Sequence, residues 1–518
     1  PQELGDLLTL KTAEVEGVVS EEEAFNNMVT GRVEKLEAHP DADKLRVAQT
    51  NVGNGEVVQI VCGGANLEEG MHVAVTKVGS KVKWHGEGDL IELKKTKIRG
   101  VESHGMIAAG SEVGVDDPNA GDHDIMDLNE WKPEPGTPLS EFFNRNDVVF
   151  EFDNKALTHR PDLWGHYGIA REVAAITGSK FKELKPEIKI PTSGETVEVE
   201  IKDFDLCPRY CGIIIEGVKV EDSPDWLKAR LKATDHGTHN NIVDITNYVM
   251  TELGQPLHAF DKNFIQGGII VRRAEEKEKI TTLDDKEREL TKDMLVIADH
   301  KKAVAVAGVM GGQNSEIKEE TTSIIIESAN FNATSIRQTS TKLGLRSDAV
   351  QRFEKALDPV LAELAIKRAA ELVLQVCPGA KIAGPITDVK QFDETPLVVN
   401  FDPDNARSKI GIEISNEEIE KILTSLHFQV DAGKKEWAVT VPSFRATKDV
   451  SIEDDLIEEV ARIYGYDNIP AVYPSLPTRL PEENTERFKK HRLRELLSYG
   501  LGFSETYNYS FYSKNDID

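Results

Sequence analysis

The stretch from Ala303 to Glu354 constrains the fold more than any other part of this chain. It opens with an apolar run, Ala303–Val309, of the length and residue type of a buried strand, and that run empties into Gly308, Gly311 and Gly312. Glycine at such a place lets the backbone approach another group closely and leaves amide N–H groups free to point at it. A second apolar strand, Ile324–Ile326, delivers Glu327 at its exit. A carboxylate there has to find a partner or shift its pKa. Ser335–Leu343 closes the unit as a helix. Two readings stay open: a glycine corner with a strand-end acid on an ordinary sheet, or a ligand pocket.

With 518 residues the chain is too long for one core, and about three to five domains are expected. No apolar run long enough to span a bilayer occurs and no signal peptide opens the chain, so the expectation is a soluble, cytoplasmic protein. A net charge of −28 argues against a generic nucleic-acid binder held by bulk electrostatics, so any RNA contact has to be local. The four cysteines (Cys62, Cys207, Cys211, Cys377) include no CxxC pair and read as reduced, buried thiols. The chain starts at Pro1 and stops at Asp518 in mid-pattern, which is expected of a fragment.

In chain order, residues 1–27 are acidic and mixed. From Met28 to about Val115, short β runs alternate with glycines: Gly31–Leu36, Leu45–Thr50, Val57–Val61, Met71–Val75 and Leu90–Leu93. This is the pattern of a small closed barrel of the OB type. Lys77, Lys81, Lys83, Lys94, Lys95, Lys97 and Arg99 gather in its second half, either as a patch for a phosphate backbone or as a solvated lysine face. Asp116–Pro138 reads as a linker. A strand at Val148–Asp153 leads to His159 and Arg160, which read as ligand groups or as polar caps of an inter-domain turn. A helix over Tyr167–Thr177 follows.

The segment from Pro191 to about Lys390 has the texture of an α+β domain. Ser223 with Pro224 predicts a capped helix start. Ile242, Ile245, Val249 and Leu253 form a core stripe flanked by Thr246 and Asn247, and His258 sits in the loop beyond Gly254. Further on, Ser415 and Glu418 predict a capping box. Along the Glu453–Tyr464 helix, Asp455, Glu458 and Glu459 share one face, with Asp449 just ahead. Like charges so placed repel unless a cation or an arginine lies opposite.

Several motifs then fall into register with a known family. Ala38-His39-Pro40-Asp41-Ala42-Asp43-Lys44-Leu45 with Val61-Cys62-Gly63-Gly64-Ala65-Asn66 resembles the tRNA-binding OB module of several synthetases. Ile245-Thr246-Asn247-Tyr248, Gly254-Gln255-Pro256-Leu257-His258-Ala259-Phe260-Asp261, Ala307-Gly308-Val309-Met310-Gly311-Gly312, Glu327-Ser328-Ala329 and Leu343-Gly344-Leu345-Arg346-Ser347-Asp348-Ala349 stand in the order of the bacterial-type phenylalanyl-tRNA synthetase β subunit. The likeness covers essentially the whole chain.

The resemblance implies a multidomain α+β protein. Its parts would be a split N-terminal domain (1–27 and 148–190), the OB domain with its linker (28–147), a central editing domain of B3/B4 type (191–395), a small helix-turn-helix-like B5 domain (396–472), and the start of a degenerate class II synthetase-like module (473–518). It implies a cytoplasmic (αβ)2 heterotetramer in which the α subunit uses ATP to charge tRNA(Phe). The β subunit would hold tRNA and hydrolyse mischarged Tyr-tRNA(Phe), with no membrane or DNA partner. In that site Glu327 would accept the tyrosine phenol, and Ala307, Gly308, Ser347 and Ala349 would line the amino acid. His258, Thr246 and Asn247 would order the ester and an attacking water. The base is His258, or a water positioned by these groups and the tRNA terminal hydroxyl; both remain open. Asp449, Asp455, Glu458 and Glu459 would bind Mg2+ at the junction with the α subunit. The family commonly has Thr where this chain has Ser347.

Overall fold

A computed structural model describes the chain except residues 87, 116–119, 122, 144, 146, 154, 434, 515, 516 and 518. It divides into two compact units, Pro1–Ile469 and Pro470–Asp518.

The N-terminal strand Val15–Ser20 pairs antiparallel with Val148–Phe152, so residues far apart in sequence build one small layer. Between them lies a five-stranded sheet ordered Gly105–Ile107, His72–Lys77, Met28–Ala38, Arg46–Asn51, Val57–Cys62. Its two edges meet, because the His104 N–H donates to the Gln59 carbonyl at 2.9 Å and the Val61 N–H donates to Ser103 Oγ at 3.0 Å. Shared edges leave few strand N–H and C=O groups unpaired. The fifth strand is Gly105–Ile107 and not the expected Leu90–Leu93. Leu90–Glu92 instead pairs with Lys81–Lys83 as a separate ribbon that buries only Val82. The expected linker is also less loose than its composition predicts: Ile125, Met126 and Leu128 are buried against this sheet. Residues 116–119 and 122 of that linker lie outside the described residues.

The central domain has three layers. One sheet runs Leu257–Asp261, Ser323–Asn330, Arg209–Glu216, Lys381–Ile382. Strand side chains alternate between faces. Cys211, Ile213, Ala259, Ile324 and Ile326 therefore pack against helices Asn241–Leu253 and Leu361–Val376. Tyr210, Ile214, Phe260, Ile325 and Ala329 point the other way, onto a second sheet containing Ile269–Arg273, Leu295–Ala298, Ala303–Val306 and Met310–Gly311. Each fully buried Ile or Phe in these layers contributes about 1.5–3 kcal/mol of transfer free energy. The Asn241–Leu253 helix is capped by Asn240, whose side chain accepts from the Ile242 and Val243 N–H groups. Ser223 does not cap the preceding helix: Pro224 stands at its N-cap position, and the Ser223 hydroxyl donates to Asp244 at 2.6 Å instead.

The small domain that follows packs a three-stranded sheet (Val398–Phe401, Trp437–Thr440, Gln429–Asp431) against helices Pro403–Ile410, Asn416–Ser425 and Glu453–Tyr464. Ser415 caps its helix by accepting from the Glu418 N–H at 3.2 Å. In the second unit, where the sequence pattern predicts a helix over Arg487–Tyr499 and a strand over Phe503–Phe511, helix Thr485–Glu495 is present, while residues 503–511 are exposed and form no strand. A strand needs a neighbour for its N–H and C=O groups, and sequence pattern alone cannot supply one.

Candidate active site

Glu327 and His258 are register partners on adjacent antiparallel strands, Ser323–Asn330 and Leu257–Asp261. Directly opposed residues project side by side on one face, here the face turned toward the second sheet. The sequence placed His258 in a loop; it lies inside a strand, because Glu327's strand offers a free edge to pair with.

Glu327 is 5% exposed. Burial pushes its carboxyl up to about 8, and the Tyr210 hydroxyl, donating to Oε2 at 3.0 Å, only partly offsets that rise. The carboxyl is therefore largely protonated at neutral pH. His258 meets the edge of Phe260 with ring centroids 4.5 Å apart. Burial pulls its imidazole down to about 4, and Nε2 has no hydrogen-bond partner among the described residues. A buried polar nitrogen left unpaired costs about 1–3 kcal/mol, which an arriving ligand or water can relieve.

Gly311 closes the floor from the second sheet. A Cβ there would stand 2.5 Å from His258 Cε1 and 2.9 Å from Nε2, so only glycine admits the ring. Gly308 has φ +65°, and a Cβ would meet Ile336 Cδ1 at 2.8 Å. Ala307 is fully buried, and its N–H donates to the Leu295 carbonyl at 3.0 Å. Of this turn the Gly308 N–H has no partner among the described residues. Ser347 caps the Asp348–Phe353 helix and its hydroxyl donates to the Val309 carbonyl at 2.7 Å. It thereby ties that helix to the glycine turn, with Ala349 packed partly against the same core.

Thr246 and Asn247 sit on the helix covering the opposite face of the sheet. The Thr246 hydroxyl donates to the Val243 carbonyl at 2.7 Å, and no hydrogen bond joins either residue to His258 or Glu327 among the described residues. Tyr210 was not singled out from sequence. Its signal was the alternation Tyr210, Gly212, Ile214, which puts its ring on Glu327's face.

The acidic helix face has its answer in arginines. Arg445 donates to Asp449 and, through Nη1, to Glu459 Oε2 at 2.8 Å. Arg462 Nε donates to Glu459 Oε1 at 2.7 Å. Asp455 is spent on the helix start, accepting from the Ser451 and Ile452 N–H groups at 2.7 and 2.9 Å. Glu458 is exposed. Both Glu459 oxygens are taken and the four carboxylates do not converge, so they do not fit the expected Mg2+. Among the described residues no group of three or more His, Cys, Asp or Glu is arranged to hold a metal ion. Arg160 joins the arginine network, which favours the inter-domain cap over the ligand group.

In the β-barrel region, Lys77 pairs with Glu56 at 2.7 Å, and Lys95 with Glu102 at 2.8 Å; Lys97 lies 3.8 Å from the same Glu102. The Arg99 side chain donates to the Asp41 carbonyl at 3.3 Å. Lys81, Lys83 and Lys94 are exposed. Trp84, missed from sequence, stands 51% exposed at the start of the turn that follows Lys81–Lys83.

Three family domains match this layout: the putative tRNA binding domain over residues 28–133, the B3/4 domain over 206–378 and the tRNA synthetase B5 domain over 399–466. The phenylalanine–tRNA ligase β subunit of Solibacter usitatus is 41% identical over 99% of this chain and 64% of its own length. That of Clostridium acetobutylicum is 40% identical over 100% of this chain and 64% of its own length. The chain is similar to these phenylalanine–tRNA ligase β subunits and spans about 64% of their length. An N-terminal fragment of the phenylalanyl-tRNA synthetase β subunit from Pyrococcus horikoshii is 19% identical, covering 61% of this chain and 87% of its own, with a TM-score of 0.35. No described helix is long and apolar enough to cross a membrane.

Proposed function

We propose that this chain acts in the cytoplasm as the tRNA-holding and proofreading part of a phenylalanine–tRNA ligase, an (αβ)2 assembly whose separate α subunit uses ATP to charge tRNA(Phe). Its OB-type barrel region contributes to tRNA docking, and its central domain hydrolyses the ester of Tyr-tRNA(Phe). The observation that carries this reading is the register pair of half-buried His258 and buried Glu327, set between two sheets above Gly311.

The chemistry follows from the pair. A synthetic pocket shaped for phenylalanine rejects an added hydroxyl poorly. A second site can invert that logic by offering a partner to the hydroxyl alone. Glu327 offers one: a phenol pairs with the buried carboxyl, whereas phenylalanine leaves it short of a partner, at a cost of about 1–3 kcal/mol. His258, neutral because its pKa lies near 4, is a weak base at pH 7. It serves better to hold a water against the ester through Nε2 than to take the proton outright, which favours water ordered by these groups and the tRNA terminal hydroxyl. The Gly308 N–H is available to the amino acid's carbonyl oxygen.

The test is deacylation of Tyr-tRNA(Phe) by the chain co-purified with its α subunit, comparing wild type with Glu327→Ala and His258→Ala. Loss of at least tenfold in both variants is expected. Equal rates in all three would remove hydrolysis and leave a tRNA-binding scaffold.

A further inference from the structure

We infer that Tyr210 is a positioning residue of this site: an internal phenol that holds one oxygen of Glu327 and so presents the other to the phenol of the substrate. The inference rests on the proofreading reading above and names how its specificity is set.

The geometry is direct. Tyr210 is fully buried on the Arg209–Glu216 strand, which pairs with Glu327's strand on the side opposite His258. Its hydroxyl donates to Glu327 Oε2 at 3.0 Å. Oε1 takes no hydrogen bond from any described residue. Gly212 is the direct register partner of Glu327, and with no side chain there Tyr210 reaches the carboxyl diagonally. A single side chain thus fixes a carboxyl that would otherwise choose among rotamers, and a fixed acceptor discriminates better than a mobile one.

The surroundings leave Tyr210 the dominant partner. His258 flanks Glu327 as a neutral ring, and Cys207 is a buried thiol held protonated by burial and by Glu327 itself. The opposing sheet brings Val271, Val296 and Ala305 to this core. No cation is among these neighbours, so the phenol is the group that favours the ionised form of Glu327.

Tyr210→Phe removes one oxygen and keeps the ring. In the α-complexed protein its kcat/KM for Tyr-tRNA(Phe) hydrolysis is expected to fall roughly tenfold. The pH at which that rate breaks should move upward by about one unit. In a Glu327→Gln background the same change should leave the pH profile unmoved, whereas a purely structural role of Tyr210 predicts no shift of the break in either background. A wild-type rate and break point in Tyr210→Phe, with Glu327→Ala still inactive, would overturn the inference while sparing the proofreading reading. Wild-type rates in both variants would overturn both. If Tyr210→Phe lowers the melting temperature, the upward shift of the break with Glu327 present, and its absence in the Glu327→Gln background, remains the deciding measurement.

Discussion

Arg462 and Glu172, 290 positions apart in the chain, form a buried ion pair: Arg462 Nη1 donates to Glu172 Oε2 at 2.7 Å. Arg160 donates to the other Glu172 oxygen at 2.8 Å, and Arg462 continues to Glu459 and to the Lys11 carbonyl. One network therefore locks the N-terminal layer to the small domain. Removing one partner strands a buried charge, so Glu172→Gln or Arg462→Leu is expected to cost about 3–5 kcal/mol in urea denaturation. Replacing both together should cost less than the sum of the two.

The same network sets an acid limit. Burial alone would raise the Glu172 carboxyl, but Arg160 and Arg462 outweigh it and bring the pKa down to about 2. A carboxylate depressed in the folded state contributes stability above its unfolded pKa, and that contribution is lost as pH falls through the folded value. Unfolding free energy should drop between about pH 4.5 and 2, and Glu172→Gln should flatten that slope.

Glu327 behaves with the opposite sign. Its folded pKa is raised to about 8, so its contribution is complete below the unfolded value and lost as pH rises toward 8. Relative to Glu327→Gln, the native protein should lose on the order of 3 kcal/mol between pH 4.5 and 7. Hydrogen exchange of the Ser323–Asn330 strand, followed against pH in both proteins, measures it.

His258 and Gly311 form a testable couple. Gly311→Ala drives a methyl into the imidazole and should cost about 1–3 kcal/mol in stability and most of the hydrolytic activity. In a His258→Ala background the stability cost should largely vanish. Carbon-bound protons of His258 should titrate near pH 4 by NMR.

Just after the Lys81–Lys83 strand, Trp84 offers an exposed ring next in sequence to Lys83. Trp84→Ala is expected to weaken tRNA binding by about 1–3 kcal/mol with little change in salt dependence, whereas Lys81→Ala or Lys83→Ala should each lower the salt slope by about one. Filter binding across a salt series separates the two effects.

Much of this was legible in the chain itself. Helix Glu453–Tyr464 and the Asn241–Leu253 stripe follow from local periodicity, and the burial of Glu327 follows from the apolar strand that delivers it. These depend on neighbours within a turn or a strand. What pairs across the fold was not legible: His258 beside Glu327, Tyr210 beneath it, Gly105–Ile107 as the fifth strand, and arginines facing Asp449 and Glu459. A carboxylate's spacing along a helix says that it needs a positive partner, but whether that partner is a metal or a guanidinium depends on which segments pack opposite. Only the tertiary structure decides this, because the energy of a buried charge is set by the atoms around it and not by the residues next to it in sequence.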